Sequence, residues 1–303
     1  MKYDKILIVG GAGYIGGAIT DLIPYARVYD NLLYEHEYRK DVDFILGDIR
    51  DREKLKKYLD WADAVIWLAG IVGDGACASN PQLTQEINTD SVKWLAENFD
   101  GRIIFPSTCS VYGAQDGLLD ENSPTNPLSV YASTKLEAES YLKDKNAMIF
   151  RLGTVFGVSD EYSRIRLDLV VNTMTARAFT NGKLQVFGGE QWRPLVHVKD
   201  VAELMVKALN SDETGIKNIC VKNMRMIDLA RIVESNFENS IEVEVTDIKF
   251  EDARNYQVVQ TVSSTRDVSD GVKEILKVMP RVKDPNNVRY SNAAFMGAIN
   301  GNF

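Results

Sequence analysis

The sequence predicts an α/β fold, a doubly wound parallel sheet followed by a smaller mixed α/β lobe. Three observations carry that expectation. Short apolar runs alternate with helical patterns through the first half of the chain. A glycine-rich turn joins the first apolar run to the first helical pattern. After Gly157 the alternation gives way to shorter, mixed elements.

In order, strands are expected at 6–9, 27–30, 44–46, 64–68, 102–106 and 147–151, with helices at 14–23, 52–59, 83–98 and 128–145 between them. Six strands in this rhythm make a sheet whose ligands sit beyond the carboxyl ends of the strands. Further on, a helix at 165–180, a strand at 184–187, a strand-like segment at 194–198 and a helix at 201–210 read as a second lobe. The expected division is 1–155 and 156–303, with the chain returning to the first domain around 195–220.

Apolar residues make up 45% and charged residues 26% of the 303, the balance of a folded globular chain. A net charge of −8 argues against nucleic acid as a partner, because phosphate backbones need a basic face. No apolar run is long enough for a membrane span, and the start of the chain carries no signal-like apolar core. A cytoplasmic location is therefore expected. Three widely spaced cysteines (Cys77, Cys109, Cys220) and two histidines (His36, His197) suit neither a disulfide framework nor a metal centre.

The first strand runs into Gly10-Gly11-Ala12-Gly13-Tyr14-Ile15-Gly16 and then a helix. Glycines allow a tight turn and a close approach of backbone to a pyrophosphate, which meets the positive end of the helix. Asp30 ends the second strand 20 residues beyond Gly10, where a carboxylate accepts from the ribose hydroxyls of an adenosine. Asn31, Leu32 and Leu33 follow it, with no cation to receive a 2′-phosphate, so NAD is expected rather than NADP. Asp48, with Ile49 after it, stands at the end of the third strand where an adenine would lie; a plain turn aspartate is the alternative.

Tyr131 and Lys135 are one helical turn apart on one face. A tyrosine titrates near about 10, so serving as a base at neutral pH requires about 4 kcal/mol of phenolate stabilisation. A neighbouring ammonium and a positive nicotinamide ring supply charges of the right sign. Tyr141 and Lys145 repeat the spacing, so spacing does not choose between the pairs. Tyr131 is preferred because it opens its helix and has small neighbours, Ala132 and Ser133, beside it. Thr108, just past the fifth strand, offers a hydroxyl to orient the reacting oxygen, ahead of Ser107 and Ser110.

Taken together and in this order, the glycine turn, Asp30, Asp48, Leu68-Ala69-Gly70, the 107–113 segment, Tyr131-x-x-x-Lys135 and Arg151-Leu152-x-x-Val155-Phe156-Gly157 resemble the extended short-chain dehydrogenases/reductases, which include nucleotide-sugar epimerases and dehydratases. The resemblance covers about residues 5–270. It implies a Rossmann-type NAD-binding domain with a nucleotide-sugar lobe and tightly held NAD. It assigns catalysis to Tyr131 (base), Lys135 (lowering its pKa) and Thr108. It also implies cofactor contacts from Gly10, Gly13, Tyr14, Ile15, Gly16, Asp30, Asn31, Asp48, Ile49, Leu68, Ala69 and Gly70 as well as Tyr131 and Lys135. Substrate contacts would come from Thr108, Asn172, Arg193 and Arg254, and the helices at 83–98 and 128–145 would pair in a homodimer.

The dehydratases of this family carry an Asp-Glu pair after the catalytic threonine. Cys109 and Ser110 stand there instead, which disfavours 4,6-dehydration. Leu68–Gly73 with Cys77, Asn80-Pro81 and Ile87-Asn88, together with Arg166-Leu167-Asp168-Leu169-Val170-Val171-Asn172, are similar to the nucleotide-sugar 4-dehydrogenases of bacterial capsular heptose pathways. The expected activity is NAD-dependent oxidation at C4 of a nucleotide-diphosphate sugar, ending in epimerisation or in release of the ketone. A non-catalytic NAD-binding regulator is the alternative of another class; retention of both Tyr131 and Lys135 in an acidic chain speaks against it. His197, adjoining an apolar strand, reads as structural, and Trp192 suits either ring stacking or core packing.

Overall fold

The computed structural model describes residues 1–35, 38–246, 254–264 and 266–300. His36, and Asp252 and Ala253 beside Arg254, lie outside the described residues. A seven-stranded sheet organises the molecule. Its strands are β1 (Ile6–Val9), β2 (Arg27–Asp30), β3 (Phe44–Leu46), β4 (Ala64–Trp67), β5 (Arg102–Thr108), β6 (Ala147–Leu152) and β7 (Gly215–Ile219). They lie in the order β7-β6-β5-β4-β1-β2-β3, every neighbouring pair parallel. Because β2 and β4 flank β1, the chain reverses its direction of travel across the sheet there, opening a crevice at the carboxyl ends.

Parallel sheets need cover on both faces, and alternate side chains of each strand supply it. Ile6 and Ile8 join Val28, Ile66, Ile104, Met148 and Phe150 on one face. Leu7 and Val9 join Val65, Trp67, Ile103, Phe105 and Ile149 on the other. The first face is covered by α1 (Tyr14–Leu22) and by a helix at Val198–Leu209, which pack on one another. The opposite face is covered by α2 (Arg52–Trp61), by a continuous helical run over 81–98, and by α3 (Val130–Leu142). The middle turn of the helical run, Glu86–Asp90, is π-helical. Ser129 caps α3 by accepting from Ala132 N, which starts the helix at Val130 rather than at 128.

The lobe is built from smaller sheets. Trp192–His197 pairs parallel with Thr154–Phe156 and antiparallel with Lys222–Arg225. Glu242–Thr246 pairs with Lys183–Phe187, and Asn255–Val258 with Ala114–Leu119. The helix expected at 165–180 runs instead over Val170–Asn181. Its predicted first turn is not helical, and the backbone there bonds to a distant partner, Leu167 N donating to Tyr290 O at 2.9 Å. Among the described residues no helix is long and apolar enough to cross a membrane.

A buried ion pair ties α3 to the sheet. Glu139 on α3 takes a bidentate contact from Arg151 on β6, with Nη2 at 2.7 Å and Nε at 3.0 Å, and also accepts from the Ser107 hydroxyl on β5. Arg151 Nη1 reaches the Tyr112 hydroxyl at 3.0 Å, and that hydroxyl donates to Asn218 Oδ1 on β7 at 2.9 Å. Breaking a buried pair strands the remaining charge in a dry interior. Glu139→Leu is therefore expected to cost about 3–5 kcal/mol, read from urea unfolding of the purified variant.

Candidate active site

The glycine turn begins where β1 ends. Gly10 adopts φ +82°, and a Cβ there would fall 2.4 Å from Ala69 N. No other residue fits, because the turn presses directly on the backbone leaving β4. Gly16 is equally constrained, since its Cβ would lie 2.3 Å from Gly11 O. Gly13 precedes α1 and no side chain caps the helix, so its first N–H groups remain available to an anion. Asp30 sits beside this turn and accepts from Ala12 N at 3.0 Å and Leu32 N at 2.7 Å.

A cleft of about 690 Å³ opens here. Its walls include Gly10, Gly13, Tyr14, Ile15 and Gly16, then Asp30 and Asn31, Ile49, and Leu68, Ala69 and Gly70. The cradle a Cβ would fill, the uncapped helix end and the adjacent carboxylate form a donor and acceptor set that fits a dinucleotide. Asp48 departs from expectation. It is absent from the cleft wall and turns to Arg50, which holds its carboxyl down at about 2 through Nε and Nη2 contacts of 3.0 and 2.9 Å.

At the far end of the cleft are Thr108, Tyr131 and Lys135. Tyr131 stands beside Thr108, whose hydroxyl favours the phenolate. Lys135 Nζ donates to Pro106 O at 2.9 Å and lies 4.5 Å from the Phe105 ring centroid. Gly70 packs closely on Asn88: a Cβ on it would stand 3.1 Å from Asn88 Oδ1, and at an ordinary contact distance of 3.7 Å from Lys135 Nζ. The competing pair lies elsewhere. Tyr141 bonds to Glu137 and Lys145 to Asp100, both outside the cleft wall.

Burial dominates the electrostatics. It pushes the Tyr131 phenol up and the Lys135 ammonium down to about 8. Thr108 and Arg166 favour the phenolate but burial outweighs them, so the chain's own groups do not supply the pull expected from Lys135 together with the nicotinamide ring. Ser110 lines the cleft and its hydroxyl is 3.4 Å from that of Tyr256. Cys109 faces away; its thiol donates to Arg151 O at 3.1 Å, and burial pushes its pKa up, which removes it as a nucleophile.

Arg193 and Arg254 also reach the cleft. Arg193 Nη1 donates to Trp192 O at 2.8 Å and to Arg254 O at 2.6 Å, while Arg254 Nη1 meets Asp74 Oδ2 at 2.9 Å. Trp192 is not part of the wall. Asn172 requires correction as a ligand contact: it is fully buried, outside the wall, and both ends of its amide serve backbone. Its Oδ1 accepts from Gly157 N at 3.0 Å, and Nδ2 donates to Gly157 O at 3.1 Å and Arg166 O at 2.8 Å. His197 is buried too; Nδ1 accepts from Lys199 N at 3.2 Å and Nε2 faces Glu274 at 3.1 Å.

Two residues escaped the reading of site residues from sequence. Asn88, in the π-helical turn, accepts from Ile71 N at 2.8 Å and donates to Ile71 O at 2.9 Å, holding the end of the β4 loop against Lys135. The one signal for it was a polar residue on an apolar helical face. Asn292, in the C-terminal stretch, donates to Val72 O at 2.9 Å across 220 residues of sequence. No local pattern announces such a contact.

A parallel sheet with a glycine turn and a carboxylate at its reversal point defines a dinucleotide-binding protein. The family model for the NAD dependent epimerase/dehydratase family matches residues 6–220. The chain belongs to that family of nucleotide-sugar enzymes, and its cofactor is NAD. It is 27% identical to a UDP-glucose 4-epimerase of Rhizobium meliloti over 242 residues, 69% of this chain and 73% of the other. A UDP-glucuronic acid 4-epimerase from Bacillus cereus, solved with UDP-glucuronic acid and NAD, superposes with a TM-score of 0.77 at 25% identity, covering 92% and 99% of the two chains. An NAD dependent NDP-hexosamine 5,6-dehydratase of tunicamycin biosynthesis gives a TM-score of 0.79 at 23% identity, over 94% and 100%, a likeness of fold.

Two expected outcomes follow from these contacts. Asn172→Ala leaves Gly157 N and Arg166 O without the side-chain partner they have here, Gly157 O keeping Tyr14, and should lower stability by about 2–4 kcal/mol in urea unfolding. The Lys135 pKa near 8, against 10.5 for a free lysine, makes the unfolded state bind more protons between those values. Stability contributed by this residue therefore rises with pH across that window. The difference in unfolding free energy between wild type and Lys135→Met should shift in favour of wild type from pH 7.5 to about 9.5.

Proposed function

We propose that the protein oxidises C4 of the sugar in a nucleotide-diphosphate sugar and then either re-reduces the ketone from its other face or releases it. The supporting observation is that Tyr131, Thr108 and Lys135 line the same cleft as Asp30 and the glycine turn. NAD, when bound, would supply an acceptor for the C4 hydride and a positively charged nicotinamide ring. Tyr131 takes the proton of the C4 hydroxyl as the C–H bond is broken, and Thr108 holds the same oxygen in line. Lys135, anchored on Pro106 O, keeps an ammonium behind the phenol. Its charge and the positive ring together offset the burial that raises Tyr131.

Gly10, Gly13, Tyr14, Ile15, Gly16 and Asp30, with Asn31, Ile49, Leu68, Ala69 and Gly70, are proposed to hold the cofactor. Arg193 and Arg254 are proposed to meet the sugar nucleotide's diphosphate, Arg254 by exchanging Asp74 for phosphate. The division into a cofactor domain and a sugar-nucleotide lobe, and a homodimer through the 81–98 run and α3, belong to the same reading. Dehydration is disfavoured because the two residues after Thr108 are a buried thiol and a hydroxyl rather than carboxyls.

Epimerisation draws support from the 4-epimerases among the similar proteins. Release of the ketone draws support from the 166–172 segment, part of which walls the cleft. The test is to denature the purified protein, determine whether NAD⁺ or NADH is released, and screen sugar nucleotides for interconversion or ketone formation. Redox-neutral interconversion of two sugars supports the epimerase, and turnover only with an added keto acid supports the dehydrogenase. Tyr131→Phe should reduce turnover by about 10²–10⁴-fold while the nucleotide stays bound. Undiminished turnover in that variant would remove Tyr131 from the mechanism.

A further inference from the structure

Residues 157–168, between the strand Thr154–Phe156 and the helix Val170–Asn181, cross the mouth of the cofactor end of the cleft. Several of their anchors lie on α1 and on the loop that leaves β2. Tyr14 donates its hydroxyl to Gly157 O at 2.7 Å. A Cβ on Gly17 would strike Ser163 Oγ, so the crossing rests on the first turns of α1. Buried Lys40 bridges Gly17 O and Asp160 at 2.7 Å each. Arg164 N reaches Glu35, just beyond Asp30 and its loop, at 3.0 Å. The C-terminal stretch then locks the crossing: Arg164 donates to Arg289 O and Asn292, and Asn292 bonds both Asp168, at 2.8 Å, and Val72 O.

This crossing carries two guanidiniums into the cleft wall. Arg164 and Arg166 are only 8% and 7% exposed. Asp168 holds Arg166 through Nε at 2.6 Å and Nη2 at 3.0 Å, and neither bond uses Nη1. Arg166 and Arg164 line the same cleft as the glycine turn, Tyr34 and Tyr131. Asp168 and Glu35 lie beside these arginines, so the two guanidiniums stand against two carboxylates in the cleft wall.

We propose that Arg166, oriented by Asp168 and backed by Arg164, binds the pyrophosphate of the dinucleotide from the side opposite the glycine turn, and that Asn292 secures this closure. The turn presents backbone N–H groups from one side, and Arg166 Nη1 presents a charged donor from the other. Arg193 and Arg254 lie on the lobe strands and beside Asp74, so they are left for the substrate's diphosphate. The inference rests on the cofactor placement proposed above, not on the sugar chemistry.

The test compares wild type, Arg166→Met and Arg166→Lys as purified holoproteins. Nucleotide per chain is measured after acid release, exchange is timed against excess labelled NAD⁺, and UDP affinity is measured by calorimetry. Arg166→Met should exchange NAD about tenfold faster or more, with UDP affinity unchanged. Arg166→Lys keeps the stem and charge but loses the forked contact to Asp168. It should exchange about threefold faster or more, and it carries the test if the methionine variant does not fold. Exchange at the wild-type rate in the folded variants overturns the proposal. So does a loss of UDP affinity with NAD exchange unchanged, which would give Arg166 to the substrate. Tyr131→Phe separates the two readings: active protein with bound NAD sinks the sugar chemistry and leaves the Arg166 assignment standing.

Discussion

Contact between the backbone of Gly10 and that of Ala69 is the constraint on which the rest of the molecule depends. The two strands β1 and β4 are neighbours, and their loops can share one crevice only if the first turns without a side chain. Once that approach is made, Asp30 lies near enough to take the Ala12 N–H, and Gly70 is set against Lys135. A single added methyl group at residue 10 would push these elements apart and open the cleft at its narrowest point.

The chemistry at the other end of the cleft depends on burial. Tyr131 and Lys135 are held in a site that disfavours both their charged forms, so neither group is poised for catalysis by its neighbours in the chain alone. Beneath them, Glu139 continues the face that carries Tyr131 and Lys135, and its pairing with Arg151 and Ser107 links α3 to the strands bearing Thr108. Catalytic geometry is thereby set by a charge pair that does not reach the cleft wall. That placement matches the needs of a base whose position must be firm while its proton affinity shifts.

The second half of the chain does two jobs that are easily confused. Arg193 and Arg254 face the cleft, whereas Asn172, on the helix expected to contact substrate, spends its amide on Gly157 and Arg166 backbone. The C-terminal stretch, featureless as a sequence, wedges Asn292 between Val72, Arg164 and Asp168. Polar side chains of the same type thus act as scaffold or as lining according to whether their donors and acceptors are already used.

The sequence by itself determined the parallel sheet, the glycine turn with Asp30, and the pairing of Tyr131 with Lys135. Each depends on residues close in sequence, where strand alternation, turn chemistry and helical spacing act locally. Tertiary structure alone decided that Asn88 and Asn292 brace the walls. It also decided where Val170–Asn181 begins and where Lys222–Arg225 finds its partner strand. Those outcomes depend on partners up to 220 residues away, so the hydrogen bonds that choose them leave no periodic trace in the chain.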